Sequence, residues 1–170
     1  EDLCINLGIE ISNIEMKNNL KKVISSSMIS KFIDEGDFIN ANKFLGYDYT
    51  FEGMVVKGDQ IGRTIGFPTA NIEVQNGIQI PGDGIYACMV NIKGEKFRGA
   101  LSIGNRPVIK NDPARKIEVF ILDFDKNIYD IEIEISVIKK IRNQEFYDSI
   151  DIMKTQIKKD IININEVLER

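Results

Sequence analysis

The segment Lys57-Gly-Asp-Gln-Ile-Gly-Arg-Thr-Ile-Gly-Phe-Pro-Thr-Ala-Asn71 combines residue types and spacings that suggest chemistry. Gly58, Gly62 and Gly66 recur at every fourth position. Glycines let backbone amides come close to a ligand and adopt angles closed to other residues. Successive amides can then form an anion-binding concavity. Arg63 would add a planar, always-charged fork suited to phosphate. The segment is not a P-loop, because the Gly-Lys-Ser/Thr ending and its following helix are missing. A long hairpin loop would use the same glycines simply to turn. Phe67-Pro68 then leads into a strand in which Thr69 and Asn71 face one side, two residues apart. A threonine hydroxyl and an asparagine oxygen can jointly hold a hard cation such as magnesium, which takes its remaining ligands from water and phosphate. A hydrogen-bonded pair at a strand edge is the plainer alternative.

Glu118 is a second candidate. It shares a strand face with Phe120, Leu122 and Phe124. A carboxylate among apolar neighbours is costly unless it is paired or used, and such a group suits a general base. A glutamate on the strand's rim would need no such role. Ser102-Ile-Gly-Asn-Arg-Pro107 reads as a strand ending in a sharp turn. Arg142, with Tyr147-Asp148 just before the last helix, forms a further group, for which a capped helix start beside a solvated arginine is the alternative.

The composition limits what these residues can do. No histidine occurs among the 170 residues. This excludes Ser-His-Asp and Cys-His catalysis and leaves acid–base work to a carboxylate, Lys, Tyr or Cys. The net charge of -4 argues against nucleic-acid binding. Apolar residues at 43% and charged residues at 28% match a soluble globular chain. Cys4 and Cys88 have no metal-site spacing, and a reducing cytoplasm fits them. No apolar run is long enough to span a membrane. The chain opens inside an apolar run without Met and is expected to be a piece of a longer polypeptide.

The elements that would position these groups are mostly strands. A short strand is expected over 9–16, followed by two short helices. Ser27 would cap the first, with Gly36 ending it, and Asp37 would cap the second, with Gly46 ending it. From Tyr49 onward strand-like runs cover 50–56, 69–74, 84–92, 96–103, 116–124 and 131–138. The last alternates Ile131, Ile133, Ile135 and Val137 with Glu132, Glu134 and Ser136. No helix-length pattern separates the runs, so an antiparallel barrel or sandwich is expected. A final helix follows from the spacing of Ile150, Met153, Ile157, Ile161, Ile164 and Leu168, with Asp148 or Ser149 as its cap.

These pieces together resemble the riboflavin kinase family. The likeness rests on Gly53-x-Val55, Gly58, Gly62-Arg63 and above all Gly66-Phe-Pro-Thr-Ala-Asn-Ile72. It continues through Gly84-Ile-Tyr-Ala87, Ser102-Ile-Gly with Pro107, Glu118-Val-x-Ile-x-x-Phe124 and Ile128-Tyr129. It closes on Arg142, Glu145, Asp148-Ser149 and Gln156-Ile-x-x-Asp160. Three positions depart from the common bacterial pattern: Ser102 stands in place of Asn, Val108 of Thr and Phe120 of His.

The resemblance implies a mainly β fold, a six-stranded antiparallel Greek-key barrel with a C-terminal helix over 49–170. It implies transfer of phosphate from ATP to riboflavin, giving FMN. Thr69 and Asn71 would bind magnesium with the ATP phosphates. Gly58, Gly62, Arg63, Gly66, Phe67 and Pro68 would cover the nucleotide, with Phe124 and Tyr129 beside the adenine. Glu118 would be the base, and Arg142, Tyr147 and Asp148 would lie near the flavin.

Residues 1–48 resemble the tail of the FMN adenylyltransferase module that precedes the kinase in bifunctional bacterial FAD synthetases, as a short helical remnant and linker. Ser25-Ser-Ser-Met-Ile-Ser30 stands where that module carries Ser-Ser-Thr-x-Ile-Arg. Its His-x-Gly-His signature is missing, so this chain is not expected to make FAD. A barrel that binds flavin or nucleotide without catalysis is the competing expectation.

Overall fold

The structure, a computed structural model, describes residues 24–104 and 115–169. The expected strand at 9–16, Cys4, and the turn residues from Asn105 to Val108 lie outside the described residues. Among the described residues two helices come first, α1 (Ser26–Glu35) and α2 (Phe38–Leu45). Six strands follow: β1 (Tyr49–Val56), β2 (Ala70–Glu73), β3 (Gly84–Ile92), β4 (Glu95–Gly104), β5 (Lys116–Ile121) and β6 (Glu132–Arg142). A helical turn, α3 (Ile61–Thr64), interrupts the loop between β1 and β2, and α4 (Ile150–Leu168) closes the chain.

The strands form a closed barrel in the order β1-β2-β5-β4-β3-β6, with every neighbouring pair antiparallel. Strands β3, β4 and β5 are consecutive neighbours, and β6 returns to lie beside β3, which is Greek-key connectivity. Alternation separates inside from outside. Ile133, Ile135 and Val137 of β6 point into the core, together with Tyr86, Cys88, Val90, Leu101, Ile103 and Val119. Closure leaves no open edge for another chain to pair with.

The two N-terminal helices are built into this core. They bury Ile33, Phe38 and Ala41 against the barrel, and Phe38 meets Tyr86 edge to face at 5.6 Å between ring centroids. Two helices this short have too little apolar area of their own, so docking supplies their stability. Gly36 and Gly46 end them in left-handed conformation, as expected.

Several expected boundaries shift. Ser25, not Ser27, caps α1, accepting from the Met28 amide at 3.2 Å. Three consecutive serines can each cap, and tertiary docking decides among them. Strand β5 ends at Ile121, because the chain turns at Asp123 with φ 55. Strand β6 runs on to Arg142, past register shifts opposite Ile85/Tyr86 and Ala87/Cys88. Ser149 caps α4 by accepting from the Ile152 amide at 3.3 Å. Ile150, expected on the packed stripe of α4, is exposed.

Candidate functional site

One row of side chains crosses the outside of the barrel. Asn71 on β2 pairs with Glu118 on β5, Glu118 with Ser102 on β4, Ser102 with Ile85 on β3, and Ile85 with Arg142 on β6. Their inward neighbours, Ile72, Val119, Leu101 and Tyr86, belong to the core. Strand alternation thus gives core packing to one face and the row to the other. All five residues of the row line a cavity of about 300 Å³. Helix α4 adds Met153, Ile157 and Ile161 to its wall, and the β1–β2 loop adds Gly62 and Phe67.

Glu118 sits half-buried in this cavity, with its Oε2 3.5 Å from the Thr69 hydroxyl. Thr69, just ahead of β2, thus lies close to Glu118, and Asn71 pairs across to it. Phe120 and Phe67 meet edge to face at 5.7 Å on the same wall. The Gln144 amide donates to Ser102 Oγ at 2.9 Å and to the Ile103 carbonyl at 3.2 Å, bracing the end of β4.

A second cavity, of about 410 Å³, lies on the other side of Thr69. Arg63, Pro68, Phe124 and Tyr129 line it. The Phe124 ring is held edge to face against Phe97 at 4.9 Å. Asn127 accepts the Tyr129 amide at 3.1 Å and shapes the turn between β5 and β6. Thr69 and Gln60 line both cavities.

The loop glycines have separate reasons. A Cβ at Gly58 would stand 2.1 Å from Asn71 Nδ2, so only glycine lets the loop lie on that amide. Gly66 is exposed, with φ +90 and open space around it, and it turns the chain without lining either cavity. Gly62 and Phe67, expected beside the nucleotide, line the first cavity. Lys116 pairs with Asp59 at 3.5 Å and ties the loop to β5.

Arg142 and Tyr147 line the first cavity, whereas Asp148 is exposed ahead of α4 and lines neither. Arg142 is not a solvated arginine. Its Nε and Nη2 grip the Asp160 carboxylate at 2.8–3.1 Å. Burial works against its charge, but the hydrogen bonds and charge of Asp160 outweigh that and raise its pKa. The Tyr147 phenol is pushed up to about 12 by burial and by its hydrogen bond to Glu145. Cys88 is buried inside the barrel with its thiol pushed up by burial, which removes it from any acid–base role. Sequence reasoning passed over Gln60 and Gln144 and noted Asp160 only as part of a pattern. Their positions depend on contacts distant along the chain.

Among the described residues no three Cys, Asp or Glu side chains cluster to hold a metal. The Thr69 and Asn71 side-chain oxygens are hard donors of the kind magnesium accepts when phosphate and water supply further ligands. No helix among the described residues is long and apolar enough to cross a membrane.

Comparison with known proteins gives the family. The profile of the Flavokinase (riboflavin kinase) family matches residues 45–168. A bifunctional riboflavin kinase/FMN adenylyltransferase from Listeria monocytogenes is 40% identical over 151 residues, covering 89% of this chain and 48% of the relative. Its counterpart from Bacillus subtilis is 38% identical over 149 residues, covering 86% and 47%. The chain thus spans about half the length of the curated relatives it matches. Among solved structures, a Streptococcus pneumoniae chain described as a macrolide-efflux protein superposes with a TM-score of 0.75 at 36% identity, covering 81% of this chain and 45% of that one. Riboflavin kinase from Trypanosoma brucei shares the fold, with a TM-score of 0.54 at 24% identity over 71% of this chain and 80% of that one.

Proposed function

Because the chain belongs to the riboflavin kinase family, we propose that it transfers the γ-phosphate of ATP to the ribityl 5′-hydroxyl of riboflavin, at the junction of the two cavities. The observation that carries this reading is the position of Thr69. It lines both cavities and stands 3.5 Å from the Glu118 carboxylate. A phosphate entering from one side and an alcohol from the other would meet beside a base.

The nucleotide takes the second cavity. Phe124 and Tyr129 offer aromatic faces to the adenine, and Arg63 offers a fork to the phosphates. Riboflavin takes the first cavity, with its ring system near Phe67, Phe120, Arg142 and Tyr147. Glu118 accepts the proton of the 5′-hydroxyl. That oxygen then bonds to the γ-phosphorus as the bond to the bridging oxygen of ADP breaks, leaving FMN and ADP. Phosphoryl transfer depends mainly on positioning and charge neutralisation, so the lack of histidine is no obstacle.

Thr69 and Asn71 would hold magnesium through their side-chain oxygens. When bound, the ion neutralises phosphate charge and screens the approach of the alcohol. Gly58 keeps Asn71 in place beneath the loop.

The curated relatives are named for two activities and are about twice as long as this chain. We read the chain as the kinase part of such a protein, with 1–48 as the junction to an adenylyltransferase module. Its partners would be ATP and riboflavin in the cytoplasm.

The direct test is incubation with ATP, magnesium and riboflavin, with the products separated by chromatography. FMN without FAD supports the reading. Riboflavin binding with no FMN would instead make the chain a flavin-binding barrel without catalysis.

A further inference from the structure

Asp160 is the buried charged residue among the described residues, at 4% exposure on helix α4. Its carboxylate takes Arg142 Nε at 3.0 and 3.1 Å and Nη2 at 2.8 Å. Gln156, one turn earlier on the same helix, donates to Asp160 Oδ1 at 2.9 Å. Asp160 also contributes to the wall of the first cavity. A buried ion pair is weak grounds for stability, because losing water offsets most of the attraction. Bidentate geometry does, however, fix the plane of the guanidinium.

That plane has a use in this fold. Arg142 Cζ lies over the Tyr147 ring, 5.8 Å from its centroid. Its Nη1 donates to the Asn143 carbonyl at 2.9 Å and stands 3.9 Å from Glu145, and Glu145 in turn accepts the Tyr147 hydroxyl at 2.9 Å. The helix therefore sets the arginine, and the arginine sets the tyrosine. The result is a stretch of cavity wall that sets an aromatic ring beside hydrogen-bonding groups. Such a wall suits a planar aromatic ring system bearing carbonyl oxygens.

Resting on the riboflavin reading of this cavity, we propose that Asp160, supported by Gln156, is a positioning residue for the flavin. It acts through Arg142 and Tyr147 and has no part in nucleotide binding. Asp160→Asn keeps the shape and removes the charge. The expected result is a KM for riboflavin raised about tenfold, the size of one charge-assisted hydrogen bond, with the KM for ATP little changed. Gln156→Ala leaves the ion pair intact and should raise the riboflavin KM by about threefold, within the range for a single neutral hydrogen bond. It also serves if Asp160→Asn does not fold.

A merely structural role would lower the melting temperature and alter both KM values together or neither. Either of those results in a folded variant overturns the proposal. A selective rise for riboflavin in both variants supports it. An unmodified protein that makes no FMN would instead overturn the riboflavin reading itself, so the two failures are distinguishable.

Discussion

The two cavities that meet at Thr69 are built in different ways. The second cavity, proposed above for the nucleotide, is lined mainly by two loops, 60–70 and 124–129, with Val55, Val119 and Ile121 added from the strands. The first cavity, proposed above for riboflavin, gathers residues from Gln60 to Ile161 and depends on barrel register and on the docking of α4. Its wall is held by an ion pair whose side chains are only 15% and 5% exposed. The difference teaches where precision comes from. Local turns can present aromatic rings and a phosphate fork. The first cavity's wall, in contrast, rests on long-range packing and a buried charge pair.

The largest expected effect falls at the junction, which both cavities share. Glu118→Gln should lower turnover about 10³-fold, in the range for loss of a general base, while both substrates still bind. Steady-state kinetics paired with binding titrations check this, and full activity would remove Glu118 from the mechanism. Gly58→Ala comes next. The added methyl would lie 2.1–2.7 Å from the Asn71 amide atoms. Displacing Asn71 on that scale should cost about 10²-fold in rate and raise the magnesium requirement, with little change in melting temperature. A magnesium titration of activity reads the result.

A third prediction separates the sides. Phe124→Leu should raise the KM for ATP about tenfold, as for loss of one base-stacking aromatic, and leave the riboflavin KM alone. Equal effects on both substrates would merge the two cavities into one site. It mirrors Asp160→Asn, which should act on riboflavin alone.

The smallest effect is a pH dependence on the flavin side. Tyr147 has its pKa raised from 10.0 to about 12 in the folded protein. The stability this gives is fully present below pH 10 and is lost as pH rises through about 12. Tyr147→Phe should abolish that part of the alkaline loss of stability, measured by denaturant midpoints above neutral pH. It should also remove one late component of the tyrosinate absorbance titration.

The legibility of the molecule follows the same division. Thr69, Asn71 and Glu118 can be picked out because strand alternation places alternate residues on one face. The pairing of Asn71 with Glu118 cannot, since it depends on which strands become neighbours. The closed barrel is foreshadowed by successive short strands without intervening helices, whereas the order β1-β2-β5-β4-β3-β6 comes only from tertiary packing. Helical turn α3 has four residues, too few for a periodic signal. Strand β6 runs beyond its clean alternation because β3 pairs with it as far as Arg142, through two register shifts that no local pattern announces. The link from Asp160 to Arg142 spans 18 residues and becomes visible only once α4 docks.

If the two cavities hold two substrates at once, meeting at Thr69, riboflavin and nucleotide must bind together. The most direct measurement is a riboflavin titration, followed by flavin fluorescence, of protein saturated with ADP and magnesium. The account predicts that riboflavin binds while ADP stays bound, with an affinity close to that of the nucleotide-free protein. Mutual exclusion, with riboflavin displacing ADP, would mean a single shared pocket and would contradict it.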